Sequence, residues 1–218
     1  MTRRQFILSI AVLGTLGVRP ARSRAQDERI VYGDIVRWLK TLFHPLDQIG
    51  DLIDRTRFVA SLTDLEASFE AMHKDTQEIV EILRRSPLDR YKLTQVGTHL
   101  SESVGPCAAQ LTDVARVLKQ QYREQGVRIA ADLSETLSRK GWLAAIVAQA
   151  VRDDELREMA RDAEASAKSL AKVTSELAKL VAFIGKQAET VRAKCKRRGW
   201  RRCPDDNTTD TVGPSYKR

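Results

Sequence analysis

The chain has 218 residues, 37 of them Lys or Arg and 29 Asp or Glu, giving a formal net charge of +8 and a pI near 9.6. That length and a 42% hydrophobic content allow one domain with a real core. The basic excess sits at the two ends: residues 192–218 hold nine basic and three acidic residues, whereas 26–191 hold 23 and 26, which argues against a nucleic-acid-binding body.

Thr2-Arg3-Arg4-Gln5 places charge directly before an apolar run from Phe6 to Val18, and Ser23-Arg24-Ala25 then offers small residues at the spacing a signal peptidase requires. Residues 1–25 are therefore expected to be an export signal, cleaved after Ala25. The run of about 13 residues is shorter than the roughly 18–20 that cross a bilayer. Its paired arginines (Arg3, Arg4), its glycines and the basic Arg19, Arg22 and Arg24 near the cut resemble the twin-arginine class of bacterial signals, which implies a periplasmic destination. No Cys follows the run, so no lipoprotein anchor is expected. Retention in the inner membrane by an uncleaved signal is the alternative.

From Ile35 the apolar residues fall at alternating steps of four and three: Ile35, Leu39, Leu42, Leu46, Ile49 and Ile53. This is one buried helical stripe, interrupted by His44-Pro45, where a kink or a fresh helix start is expected; the phase, unbroken across Pro45, favours the kink. A second stripe, Leu62, Leu65, Phe69, Met72, Thr76, Ile79 and Leu83, predicts a helix over 58–85, with Ser61 or Thr63 as its cap. Ser86-Pro87-Leu88-Asp89 ends it, and Asp89 is placed to cap the next. The third helix carries Leu93, Val96, Leu100, Val104, Cys107, Leu111, Val114 and Leu118, with a kink expected at Gly105-Pro106 and a stop at Gln125-Gly126.

A short helix over 127–139 follows, closed by Arg139-Lys140-Gly141. Trp142 to Val151 carries no charge and is expected to be the most enclosed part of the core; one helix continuous with the next is favoured, the alternative being a new first turn at Asp153, Asp154 and Glu155. That helix, 153–191, shows two seven-residue series. Leu156, Ala163, Leu170, Leu177, Ile184 and Val191 form one; Ala160, Ala167, Thr174, Val181 and Ala188, four residues later, form the other. At 1.5 Å per residue it is roughly 58 Å long, against about 42 Å for a compact globule of this size. The chain therefore reads as all-α, an elongated antiparallel bundle of four to five helices with heptad-like seams over 26–196, followed by a basic loop and disordered tail over 197–218.

Chemistry is sparse. His44, His73 and His99 fall on three different segments, with no His four residues from another and no Cys-x-x-Cys-His or Glu-x-x-His, so neither haem nor metal is expected. Met72 beside His73 reads as packing. No Gly-x-Ser-x-Gly or Gly-rich phosphate loop occurs, and the pairs Asp153-Asp154 and Asp205-Asp206 read as helix-start and tail residues. No catalytic residue and no cofactor is assigned. Asp205-Asp206-Asn207-Thr208-Thr209 resembles an acidic glycosylation sequon, a pattern short enough to arise by chance.

The most specific local feature is the basic segment Lys194, Lys196, Arg197, Arg198, Arg201 and Arg202 around Trp200, an arrangement suited to anionic lipid headgroups or an anionic envelope polymer. In an oxidising compartment Cys195 and Cys203 would close a nine-residue loop, contributing about 2.5 kcal/mol on loop entropy. Cys107 is then odd; burial is preferred over a bridge between chains, because Ala108, Ala109 and Leu111 surround it. The sequence thus predicts an exported, non-enzymatic bundle in the periplasm. It would act by binding itself, another helical envelope protein or anionic envelope material, and not nucleic acid. A cofactor-bearing or enzymatic periplasmic protein exported in folded form is the alternative.

Overall fold

The computed structural model describes residues 22–43, 52–139 and 142–197, with side chains over 27–43, 58–137 and 142–187. The described residues form six helices and no strand: α1 (Arg22–Thr41), α2 (Leu52–Arg84), α3 (Arg90–Arg116), α4 (Gln120–Arg139), α5 (Trp142–Val147) and α6 (Leu156–Arg197). The fold is an all-α helical bundle, as the apolar periodicity predicts. With 42 residues, α6 is about 63 Å long.

The five long helices pack in a closed cyclic order. Helix α1 lies between α4 and α6, α4 is next to α3, α3 next to α2, and α2 next to α6. Neighbours joined by short connections run antiparallel, as the ion pair Lys92–Glu78 and the pair His99–Asp75 show for α2 and α3. An odd number of helices closed in this way must leave one parallel pair, and that pair is α1 with α6. Glu28 near the start of α1 lies beside Asp162 and Ser166 of α6, whereas Phe43 just past its end packs edge-on against Phe183, ring centroids 5.5 Å apart. The short α5 crosses one end of the ring against α3 and α4.

The stripes of α2, α3 and α4 are buried almost position for position. All seven stripe residues of α2 are covered, including Thr76, whose hydroxyl donates to the Met72 carbonyl at 2.7 Å. Asp89 caps α3 by accepting the Lys92 amide at 2.9 Å, and that helix passes through Gly105-Pro106 without ending. Cys107 is buried, as expected. No helix among the described residues is long and apolar enough to cross a membrane.

Several expectations are corrected. Helix α1 stops at Thr41, its hydroxyl donating to the Trp38 carbonyl at 2.6 Å, so the series is not one kinked helix through Pro45. Leu46, Ile49 and Pro45 itself lie outside the described residues. Helix α2 starts at Leu52, upstream of the expected cap; Thr63 is interior and donates to the Val59 carbonyl at 3.0 Å. The stop at Gln125-Gly126 is also wrong, because α3 ends at Arg116 and α4 runs through both residues. Gly126 is there for closeness: a Cβ on it would lie 2.6 Å from both Ala115 Cβ and Trp38 Cζ2. Trp38 is fully buried, and its indole donates to the Tyr122 carbonyl at 3.0 Å, fixing α1 on α4.

Helices α5 and α6 are separate, contrary to the continuous helix expected. The Ala150 amide reaches back to the Ala145 carbonyl at 2.9 Å and the Gln149 amide to Ile146 at 3.0 Å, with Gln149 at φ 55°. This is the two-bond Schellman ending, with glutamine where glycine is usual. The uncharged stretch is consequently only partly enclosed: Trp142, Leu143, Ile146 and Val151 are buried, while 147–150 are exposed. The seam of α6 is displaced as well. Ala163, Leu170, Leu177 and Ile184 are buried as expected, and so are Ala160 and Ala167 of the companion series; its Thr174 and Val181 are only half covered, while Met159, Ser166, Val173 and Leu180, each one position earlier, are buried. Helix α6 meets α2 on one side and α1 on the other, so its buried stripe is wider than a two-helix seam.

Candidate functional site

Two places in the described structure concentrate polar chemistry against apolar packing. The first is a surface groove of about 670 Å³ between α3 and the segment that follows α5. Its floor is Leu93, Ile146 and Val151, all buried. Gly97 lets that floor form, since a Cβ there would stand 2.4 Å from Ile146 Cγ2. Arg90 pins the loop wall: one guanidinium nitrogen donates to the Val151 carbonyl at 2.8 Å and the other pairs with Asp153. Gln149, the one non-glycine residue with positive φ among those described, stands on the rim.

His99 gives the groove its chemistry. Its Nδ1 lies 2.6 Å from Asp75 Oδ2 on α2; the imidazole is 66% exposed, whereas Asp75 is only 14% exposed. A carboxylate at that distance accepts a hydrogen bond from Nδ1–H and leaves Nε2 facing outward, where the tautomer this bond selects presents an acceptor to a ligand. Glu102, one turn further along α3, is exposed and lines the same groove, as does Tyr91 at 75% exposure. No group of three or more metal-ligating side chains occurs among the described residues.

The second place is internal. Glu28 is 2% exposed, and its Oε2 accepts the Trp142 indole proton at 3.0 Å. Burial pushes its pKa up to about 7; the Trp142 and Ser166 side chains oppose this, and the negative Asp162 and Asp27 add to it. Glu28 Oε1 and the Ser166 hydroxyl each have no hydrogen-bond partner among the described residues. Ser166 lies near both Glu28 and Tyr32, close enough to act on their charge without bonding fully to either. Burial drives the Tyr32 phenol upward as well.

The residues singled out from sequence are mostly elsewhere. Arg3 and Arg4 lie outside the described residues, and Ala25 lies in the first turn of α1. Lys194, Cys195, Lys196 and Arg197 end α6, while Arg198, Trp200, Arg201, Arg202 and Cys203 lie outside the described residues, as does the proposed disulfide. His44, Asp205 and Asp206 lie outside too; Met72 is core, and His73 is half buried beside it. Burial pushes the Cys107 thiol up to about 12, the opposite of an activated nucleophile. Asp153 and Asp154 form the turn before α6. Neither the His99–Asp75 pair nor buried Glu28 has a local signature, because their partners are 24 and 114 residues away. Comparison with protein families, with curated proteins and with solved structures finds no match to this chain.

Proposed function

We propose that the protein is an exported helical bundle that acts by binding in the cell envelope, touching anionic envelope material through Lys194, Lys196, Arg197, Arg198, Trp200, Arg201 and Arg202. The observation that supports this is the course of α6. It runs as a single helix from Leu156 to Arg197, so the cationic cluster begins on the last turns of the longest helix among those described. Cations at a helix C-terminus are favoured by the backbone dipole, while residues 26–191 are slightly acidic. The cluster is therefore set apart from the body it is attached to.

Co-sedimentation with anionic-lipid vesicles or lipopolysaccharide tests the reading. Binding that falls as salt rises, and is lost when Arg197, Arg198, Arg201 and Arg202 are changed to Ser, is expected. Equal binding by that variant would sink it. Cell fractionation with N-terminal sequencing tests the export step, with Gln26 as the expected first residue and Met1 the result for an uncleaved, membrane-retained chain. The oriented His99 favours a second reading, a cofactor-bearing or enzymatic periplasmic protein. A visible chromophore or stoichiometric metal in protein purified from its native compartment would establish that reading in place of the first.

A further inference from the structure

The groove on α3 has an asymmetry in its hydrogen-bonding groups that specifies what it accepts. Its cation is engaged inside the protein, and several of its other donors are partly used there. Both terminal nitrogens of Arg90 are engaged by the Val151 carbonyl and Asp153. The Thr94 hydroxyl donates to the Arg90 carbonyl at 3.0 Å, and the Gln95 amide gives a proton to the Tyr91 oxygen at 2.9 Å. Nδ1 of His99 is turned to Asp75. The neutral donors left over, on Tyr91, Gln95, Thr98 and Gln149, belong to groups that also accept, and the remaining N–H groups of Arg90 belong to a cation already paired with Asp153.

The acceptors, in contrast, are free. His99 offers Nε2, and three residues on, on the same face of the helix, Glu102 offers a carboxylate with no ion-pair partner among the described residues. No unpaired cation among the described residues lines the groove, so a phosphate or carboxylate would meet Glu102 and no compensating charge. A ligand bearing protons and positive charge meets the reverse. The floor adds a second requirement, because Leu93, Ile146 and Val151 are apolar and reward a hydrocarbon segment. Tyr91 presents an exposed ring at the opposite end from Glu102. Eleven residues of helix separate the two, about 16 Å. The charge belongs at the Glu102 end, away from the positive N-terminus of α3.

We propose that this groove binds a primary ammonium group carried on an apolar stem. The ammonium sits between His99 Nε2 and Glu102, and the stem lies over Leu93 and Ile146 toward Tyr91. Asp75 acts here as a positioning residue, since it fixes which imidazole nitrogen faces the ligand. Two sources carry this chemistry, a free alkyl monoamine and the side chain of a lysine in another polypeptide. The site is independent of the basic segment at the end of α6, so the two proposals fail separately.

Titration of the full chain, followed by calorimetry and by the NMR resonances of α3, decides it. Pentylamine and Nα-acetyl-lysine methylamide are the two amine probes; 1,5-pentanediol and glutarate have the same five-carbon reach without the positive charge. At least one amine is expected to bind with a millimolar or tighter Kd, at least about tenfold tighter than the diol, shifting Thr98 and His99 resonances. Whichever amine binds more tightly names the source. Glu102→Gln, on an exposed helix face and checked for folding by circular dichroism, is expected to weaken binding about fivefold or more. His99→Phe should weaken it too. Equal affinity for amine and diol, preference for glutarate, unchanged affinity in Glu102→Gln, or no amine binding at about 10 mM each overturns the proposal.

Discussion

The indole nitrogen of Trp142 donates to the carboxylate of Glu28 at 3.0 Å, joining the first turns of α1 to α5 across 114 residues. Both residues are buried, and the bond holds α1 in place as the helix that closes the cycle between α4 and α6. The second oxygen of that carboxyl has no partner among the described residues. The acid therefore stays protonated to a pKa of about 7, against 4.5 in an unfolded chain. Below pH 4.5 both states are protonated and the group has no effect. Between about 4.5 and 7 the unfolded state ionises and the folded state does not, so stability falls as pH rises and then levels off above 7. The loss attributable to this residue is on the order of 3 kcal/mol. Urea unfolding at several pH values should show it, and Glu28→Gln, which keeps an acceptor for Trp142, should remove that part of the slope. Parallel pH profiles for the two proteins would refute the assignment.

The Cys107 thiol is fully buried on α3, and burial holds its pKa up to about 12. A thiol reagent needs thiolate and access, and the folded state supplies neither. In a Cys195→Ser, Cys203→Ser background, labelling should therefore be slow in buffer and rapid in denaturant. The labelling rate should track opening of the bundle, rising as urea is added. Prompt labelling in buffer would show that α3 opens locally.

Much of the fold can be read from the chain because its helices are governed by local periodicity. Leu62 to Leu83, Leu93 to Leu111 and Ile129 to Leu137 announce their buried faces at the spacing the backbone imposes. The failures fall where tertiary contact overrides a local sign. Gly126 reads as a helix stop, but it is a close approach to Trp38, a residue 88 positions earlier. Gln149 carries none of the usual glycine signal for a helix end, so the break between α5 and α6 is silent. Periodicity alone puts Thr174 and Val181 in the companion series of α6, because two-helix geometry does not foresee a helix gripped from two sides. The groove is invisible in the sequence for the same reason: His99 and Asp75 become a pair only once α2 and α3 lie side by side.

The displaced seam makes a direct mutational contrast. Leu180 is fully buried and Val181 half covered, though they are adjacent. Leu180→Ala removes three carbons from a packed site and should cost about 2–5 kcal/mol. Val181→Ala loses less burial and gains helix propensity, leaving a net change under about 1 kcal/mol. Denaturant midpoints of the two variants decide the register. A larger loss at Val181 would restore the series that strict seven-residue spacing implies.

The glycines offer a comparison in which the same substitution changes sign with its surroundings. Replacing Gly by Ala in an open helical position stabilises by roughly 0.5–1 kcal/mol, because the unfolded chain loses freedom. Gly33 on α1 has nothing within 4 Å of where a Cβ would stand, and Gly33→Ala should show that gain. At Gly126 the new methyl would meet Ala115 and the Trp38 ring at 2.6 Å, and at Gly97 it would meet Ile146 Cγ2 at 2.4 Å. Both must shift a neighbour, at a cost of about 1–3 kcal/mol that outweighs the backbone gain. Gly97→Ala should also be partly rescued by Ile146→Ala, which removes the clashing methyl, so the double variant loses less than the two single losses combined. Thermal unfolding of the four single variants and the double variant reads all of this. A stabilised Gly126→Ala would mean that α4 does not approach α1 as closely as the Trp38 contact requires.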